Sequence, residues 1–454
     1  MYLYELPTTG TISFADFCID QSTDKIYANR ILEATQARAN IRTALKASKR
    51  TEDSAKDYLS LAKVLEDYIP LLRGLINCVA HDDIGLKMEP SFSWRTTLSN
   101  NILNNSPRLS VPGLYADLAF TLLTYGFTFS NLAHATVQSI GAYERDRTIT
   151  EAQRKKKDEQ LNVALGFLCK AGGVFSYITD TLLPEWEVNR GGGLNGFTRP
   201  PDLKQEVNTA LVKIALADAQ SLAIRKYLSK AAFESNVTPG PPLPKSHPSP
   251  GLTAKLHLEC VSLYMSAKAL AKASTGGEVS TEVRKYLTDK TAFHTALSHK
   301  WLGVEAGENG GAERAGDAVA FLVWAKKELE ELKDSNLTLH FGKGDKEREK
   351  KGLILNELES TNTFYKYYKK VNDSLHFQPV PGQGDLQARI PAGVAAVQMR
   401  PYAPPAPAFG PGSLEDVQRQ ADALELGEQL PRSPTSPSSP PPKVATYAGA
   451  GSYF

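Results

Sequence analysis

The sequence contains few of the residue patterns that metal sites, disulfides and nucleic-acid binding require. Its four cysteines lie far apart and form no CxxC pair, which argues against a zinc site or a disulfide framework. Neither sign of charge dominates, because 52 lysines and arginines face 50 aspartates and glutamates. Proteins that bind nucleic-acid phosphates normally carry a basic excess, so this balance argues against a nucleic-acid partner.

Long apolar runs are also missing. No stretch of about 18 uncharged apolar residues occurs, and the longest candidate, Val111 to Phe129, is interrupted by Asp117. The first residues, MYLYELPTTG, lack the charged start and apolar centre of a signal peptide. We therefore expect a cytoplasmic protein in a reducing environment, which associates with membranes indirectly through its partners.

The motifs of common enzymes are absent as well. His294 and His299 are spaced as HxxxxH, without the HExxH pattern of a zinc protease. The GGGLNG stretch, Gly191 to Gly196, lacks the lysine of a phosphate-binding loop and is interpreted as a flexible loop. We expect no catalysis, no cofactor and no metal. An active site assembled from residues distant in the sequence is the alternative.

Helical periodicity is what the sequence has in quantity. Apolar residues recur at three- and four-residue steps through most of the first 371 residues, which predicts amphipathic helices packed as antiparallel hairpins in an irregular, tetratricopeptide-like array. Loops are predicted between His81 and Gly113 and in the proline-rich stretch after Phe233. The predicted helical regions are Asp20 to Val79, Leu114 to Tyr143, Thr150 to just before Pro184, Leu203 to Phe233, Gly251 to beyond Ala273, Asp317 to Leu332 and Glu347 to Val371.

The C-terminal part has a different composition. Proline recurs from Gln378 to Phe409, which predicts an extended strap that packs on the helices through Val394, Val397, Met399 and Tyr402. We place the end of the folded domain near residue 400, so that residues 1–400 form one domain and 401–454 a Pro/Ser-rich, largely disordered tail. A short amphipathic helix is predicted within the tail, at Leu414 to Leu426.

The order of three segments carries a family resemblance. YADLAFTLLTYGFTFSNLAHATVQS is followed by ALGFLCKAGGVFSYITDTLLPEW and then by ALADAQSLAIRKYLSKA, in which Ala217, Ala219 and Gln220 form an A-x-A-Q pattern. This order resembles the Bro domain, named for yeast Bro-one and shared with ALIX, over roughly residues 1 to 400. The resemblance implies a mainly α, elongated, boomerang-like domain with a tetratricopeptide-like helical-hairpin solenoid core and a C-terminal strap.

The resemblance also implies a binding site. Bro domains bind the amphipathic C-terminal helix of the polymer-forming ESCRT-III subunit, in helix-in-groove recognition. Leu252 and Leu256 align with apolar contact positions of the family, and four-residue spacing puts them on one helix face. The family's large apolar contact on the A-x-A-Q helix falls at Ala223, so Leu222 or Ile224 is the expected substitute. A further contact is expected in the strap, at Val397 to Met399.

Each of these residues also has a plainer interpretation. Leucines at helical spacing are more often core than interface, and Ala223 is typical of close helix packing. Two function classes stay open. The short architecture resembles Bro proteins of fungal alkaline-pH signalling, which implies a non-catalytic adaptor that acts with other pathway components at the cell cortex or at endosomal ESCRT sites. The alternative is a generic helical-repeat scaffold or endosomal trafficking adaptor that binds another peptide.

Overall fold

The helices dominate the fold, as predicted. The structure is a computed structural model that describes residues 1–99, 108–146, 148–189, 199–234, 240–273, 279–337 and 345–428. The GGGLNG stretch and the predicted tail beyond residue 428 lie outside the described residues. The long helices are α1 (Ala28–Arg50), α2 (Tyr58–Ala80), α3 (Leu114–Ile140), α4 (Glu151–Tyr177), α6 (Gln205–Glu234), α7 (Pro250–Ala273), α8 (Thr281–Asn309), α9 (Ala315–Leu337) and α10 (Asp345–Val371).

Consecutive long helices pack side by side along the chain, from α1 on α2 through to α9 on α10. This confirms the predicted solenoid of helical hairpins, in which each helix buries its apolar face against its neighbours. Local sequence sets where helices begin. Thr150 caps α4 in a capping box, because its side chain accepts a hydrogen bond from the Gln153 N–H and the Gln153 side chain accepts one from the Thr150 N–H.

Two short antiparallel ribbons lie near the start of the domain. Strand β1 (Cys18–Asp20) pairs with β2 (Ile84–Leu86), and β3 (Ser91–Arg95) pairs with β4 (Arg108–Pro112). The sequence favoured a strand or an extended lead-in within the first 20 residues, and the strand occupies the end of that region. The β3–β4 ribbon was not predicted, since proline residues there indicated only loops.

Asp117 is buried at the meeting point of these elements. Its carboxylate accepts hydrogen bonds from the Arg38 guanidinium (3.0 Å), the Tyr68 hydroxyl (2.7 Å) and the Trp94 indole (2.7 Å). A buried carboxylate is tolerated only when such partners replace its water. The charge that interrupts the apolar run of α3 therefore joins α1, α2 and β3.

Two helix predictions were wrong. The helix that was expected to end before Pro184 continues through a π-helical turn, Ile178–Leu182, into α5 (Leu183–Asn189). Pro184 directly follows the π-helical turn, where the regular i→i−4 hydrogen-bond pattern is already interrupted, so a residue without an N–H is accommodated there. Helix α8 was not predicted at all. It contains the buried polar residues Ser298, His299 and Lys300 beside apolar ones, which obscures the amphipathic period.

Beyond α10 the chain runs over the surface of the helices. It includes the short α11 (Gln383–Gln387) and then the strap, and it ends in α12 (Leu414–Glu428), as predicted for this segment. Phe409 is buried against Gly74 of α2, and the Ala408 N–H donates to the Pro70 carbonyl oxygen. The strap therefore packs on the body well beyond residue 400, where the sequence suggested the domain boundary.

Within the residues that the structure describes, two helical segments are long and apolar enough to span a membrane by length and composition alone, Glu151–Asn189 and Gln205–Phe233. More than half of each apolar window is buried inside the fold, 56% and 67% respectively. Burial of this kind is expected for core helices of a helical array, whose apolar surface is covered by neighbouring helices.

Candidate functional site

The antiparallel helices α6 and α7 carry most of the predicted site residues, and two contacts fix their register. The Cys260 thiol lies 3.8 Å from the Ala217 carbonyl oxygen, and the Gln220 side-chain amide donates to the Leu256 carbonyl oxygen at 3.3 Å. Because the two helices run antiparallel, the same register places Leu252 level with Ile224 and Arg225, one to two residues beyond Ala223. The sequence-predicted positions on the two helices are thus brought together.

Their exposure differs sharply. Leu252 is 38% exposed in the first turn of α7, whereas Leu256 is only 5% exposed and belongs to the main apolar core. Leu222 and Ile224 are buried too, and Ala223 between them is half-buried. On these two helices, Leu252 and Ala223 are therefore the predicted residues that a partner can reach without rearrangement of the core.

The strap crosses the same level of the helix pair. The Val394 N–H donates to the Lys255 carbonyl oxygen at 3.1 Å. The Gln220 amide group donates to the Val394 carbonyl oxygen at 2.9 Å and accepts from the Ala396 N–H at 2.8 Å. Because residues three apart on a helix are neighbours, Leu252 lies next to the turn of α7 that holds Val394.

Gln220 is fully buried, and its amide satisfies the backbone of both α7 and the strap. This buried amide fixes the position of the strap on the helices, because any shift of the strap would leave polar groups without hydrogen bonds. The sequence alone predicted only a packing or capping role for the A-x-A-Q pair. The A-x-A-Q pattern marks Gln220 in the sequence. It does not reveal the hydrogen bond to Val394, because that residue is 174 positions away.

The strap continues across α4. Val397 is half-buried against the apolar cluster that contains Leu222, and Met399 is half-buried near Gly172. The Arg400 N–H then donates to the Cys169 carbonyl oxygen at 3.2 Å. A glycine in the middle of a helix suggests a close helix crossing, but the segment that approaches Gly173 is the strap, at the Arg400 carbonyl.

We call the set Leu252, Ala223, Val394 and Val397 the docking surface. These side chains are apolar and partly or fully exposed, Val394 among the more exposed at 40%. Met399 extends the same strap by two residues beyond Val397. Exposed apolar side chains next to one another are typical of surfaces that bury against a partner. The small Ala223 leaves room for a large apolar side chain of such a partner beside Leu252.

The four cysteine thiols are buried and held in their neutral, less reactive form. Burial raises the pKa of the Cys18 thiol to about 11, raises that of Cys78 to about 12, and raises the pKa of Cys169 and Cys260 as well. A thiol with a raised pKa forms little of the thiolate that reacts. Within the described ranges, no group of three or more His, Cys, Asp and Glu side chains is arranged to hold a metal ion.

The two histidines singled out in the sequence have separate structural partners. His294 Nδ1 lies 3.0 Å from His257 Nδ1 on α7, while His299 Nδ1 lies 2.8 Å from Glu328 and stacks on Trp324. Burial lowers the pKa of His257 to about 3 and lowers that of His294 well below its usual range. The contact between these neutral, buried imidazoles joins α7 to α8.

Comparison with known proteins gives the family. The family described as BRO1-like domain matches residues 16–421. The chain belongs to this Bro domain family. Its match includes the helical array and the strap, and it ends within α12, so the residues of the docking surface all lie inside the matched region.

Curated relatives match along almost their whole length. The pH-response regulator protein palC of Cryptococcus neoformans var. neoformans is 31% identical over 504 residues, which cover 100% of this chain and 99% of that protein. The palC protein of Emericella nidulans is 25% identical over 92% of this chain and 90% of its own length. The Bro domain of this chain is therefore shared with fungal pH-response regulators.

Solved Bro domains have the same fold. The structure of ALIX bound to a SIVmac239 late-domain peptide superposes with a TM-score of 0.64 at 16% identity, over 94% of this chain and 53% of that one. The chain thus spans about half the length of ALIX. A Bro1 domain structure described as the basis of endosomal targeting gives a TM-score of 0.56 at 17% identity, over 88% and 92% of the two chains.

Proposed function

We propose that this chain is a non-catalytic adaptor of fungal ambient (alkaline) pH signalling, whose Bro domain binds the C-terminal helix of the polymer-forming ESCRT-III subunit. The observation that carries the proposal is the exposure of the apolar Leu252 in the first turn of α7, within two residues of the level of Ala223 on α6 and beside the strap. Full-length similarity to palC pH-response regulators supports the pathway. The raised thiol and lowered imidazole pKa values support an adaptor without chemistry of its own.

The physical mode is helix-in-groove recognition. An amphipathic helix presents apolar residues at three- and four-residue spacing, which matches a narrow apolar strip bounded by an ordered wall. Leu252 and Ala223 form the floor of this strip, and Val394 and Val397 of the strap form its edge. Leu256, Leu222 and Ile224 support this strip indirectly, because these buried side chains pack in the core and hold in place the two helices that carry the floor.

In the cell, such an adaptor concentrates the signalling components where ESCRT-III polymerises. Cytoplasmic recruitment to the plasma-membrane cortex or to endosomes follows from binding the polymer rather than from any catalysed step. Other pH-signalling proteins are the further partners we propose. Binding of an oligomeric polymer also multiplies a modest affinity per site, since several adaptors engage one assembly.

A pull-down with the isolated ESCRT-III C-terminal helix tests the proposal. The wild-type chain should be retained and Leu252→Asp should be lost, because the carboxylate is desolvated when the partner covers it. Leu59→Asp is the matched control, since Leu59 is an exposed leucine on α2, outside the docking surface. Equal retention of both variants, or no retention of the folded wild type, would favour the alternative of a scaffold that binds another peptide.

A further inference from the structure

Three apolar side chains are exposed together just beyond the end of α10. Leu375 is 70% exposed, Phe377 is 75% exposed and Val380 is 52% exposed. We call these three residues the apolar tip. Large apolar side chains clustered on one tight turn are costly to leave in water, and contiguous exposure of this kind marks an interaction site. The docking surface does not include them.

The turn that carries the tip is rigidly held. The buried Asn372 side chain donates to the Gln378 carbonyl oxygen at 2.9 Å and accepts from the Gln378 N–H at 3.0 Å. The Phe377 N–H donates to the Asn372 carbonyl oxygen at 2.7 Å. On the far side, a β-carbon on Gly316 of α9 would lie only 2.0 Å from the Pro379 carbonyl oxygen, so the turn sits directly on α9.

Phe377 occupies a backbone conformation that suits glycine. Its φ is 49° and its ψ is 31°, in the left-handed region where a β-carbon crowds the backbone. Glycine adopts this conformation without that penalty. A bulky aromatic residue that is both strained and exposed contributes little to the stability of the fold, and such strain is concentrated at functional sites.

Cations and a tyrosine lie above the tip on the last turns of α10. Lys366, Lys369 and Lys370 are exposed, and Tyr367 is 40% exposed. Lys369 is paired with Asp373 at 2.5 Å. Among the residues that the structure describes, Lys366 and Lys370 have no carboxylate partner. By the helical repeat these groups lie within about three turns of the tip.

We propose that the apolar tip inserts into an anionic lipid surface, so that this chain contacts the membrane directly as well as through its partners. The order of groups along the chain suits a membrane interface, because the exposed apolar side chains follow the end of α10 and the tyrosine and lysines that suit headgroup level lie on its last turns. Unpaired lysines beside a membrane attract anionic lipids. A peptide partner would need a groove, whereas these side chains project from a turn.

Vesicle sedimentation tests this proposal. The full chain should sediment with phosphatidylcholine vesicles that contain phosphatidylserine, and less with phosphatidylcholine alone or at high salt. Phe377→Gly should weaken binding to the anionic vesicles about tenfold, by loss of the buried aromatic side chain. The same variant should melt at the wild-type temperature or above it, because glycine relieves the strained φ. Lost binding is then not a folding defect.

Matched variants separate the contributions. Val188→Ser removes an exposed apolar side chain on α5 and should leave vesicle binding unchanged. Lys366→Glu with Lys370→Glu should abolish the preference for anionic vesicles. The proposal would be overturned if the wild-type chain did not bind anionic vesicles, or if the Phe377→Gly variant bound them as well as the wild type. The apolar tip would then be assigned to contact with a protein partner. Binding of the ESCRT-III helix is scored separately and should be unaffected by Phe377→Gly.

Discussion

Gly173 and Arg400 approach so closely that a β-carbon on Gly173 would lie 1.8 Å from the Arg400 carbonyl oxygen. No side chain fits there, so the strap follows its path over α4 only because residue 173 is glycine. This contact lies next to the hydrogen bond from the Arg400 N–H to Cys169. The strap at the edge of the docking surface therefore depends on a glycine in α4, a helix that contributes no residue to that surface.

Gly173→Ala should displace the strap. Overpacking of this kind costs about 1–3 kcal/mol, and the strap should become more sensitive to proteolysis near residues 390–405. Gly166→Ala on the same helix is the matched control, because its β-carbon meets open space and alanine is the better helix former by about 0.5–1 kcal/mol. If both variants stabilise the protein equally, the close approach is not a constraint.

Substitutions at Leu252 and at Leu256 should have different effects on the free energy of unfolding. Leu256→Asp places a carboxylate in the main core and should lower the free energy of unfolding by several kcal/mol, about 3 or more. Leu252→Asp changes an exposed position and should stay within about 0.5 kcal/mol of the wild type. Denaturant titrations of the two variants give these values directly. A large loss of stability in Leu252→Asp would assign that leucine to the core.

The buried pair His257 and His294 predicts a loss of stability in acid. In the unfolded chain both imidazoles bind protons below about pH 6.5, whereas in the folded chain burial holds the pKa of His257 at about 3 and that of His294 well below its usual range. The unfolded state thus binds more protons in this window. The free energy of unfolding should fall by about 1.4 kcal/mol per pH unit for each histidine as the pH drops below 6.5.

The charged groups around this histidine pair have smaller effects on its pKa values than burial has. Lys300 opposes protonation of His257 and Lys290 opposes that of His294, while Glu357 on α10 favours protonation of His257. Replacement of both histidines by glutamine should make the slope of the unfolding free energy between pH 6.5 and 4 shallower. His81→Gln, at an exposed position, should leave this slope unchanged. Identical slopes in the wild type and the double variant would contradict the assignment.

Much of the helical array could be predicted from the sequence, because amphipathic helices have apolar residues at regular three- and four-residue spacing. Helix α8 escaped this reasoning, since His299 and Lys300 are buried there and their partners, Glu328 and Glu357, belong to α9 and α10. Such burial depends on tertiary contacts that no local pattern contains. A polar residue that the local sequence predicts to be solvent-exposed can lie in the core when a carboxylate of another helix pairs with it.

The candidate site was predicted at the level of helices but not of individual side chains. Their four-residue spacing puts Leu252 and Leu256 on one helix face. The strap and α6 nevertheless cover Leu256 and leave Leu252 exposed. The register that brings Ala223 within two residues of the level of Leu252 depends on contacts between distant segments, and so does the bridging amide of Gln220. The family resemblance therefore indicated a surface that stays a prediction, and packing determines which of its residues are accessible.

The proposed function requires that the docking surface bind the C-terminal helix of the ESCRT-III subunit. Titration of the labelled helix into the purified chain, followed by fluorescence anisotropy, measures it directly. We expect saturable binding by the wild type. Leu252→Asp should weaken it at least tenfold, since about 1.5–3 kcal/mol of apolar burial is lost and about 1.4 kcal/mol corresponds to tenfold in Kd. Absence of saturable binding by a folded wild-type chain, or an unchanged Kd for Leu252→Asp, would contradict the account.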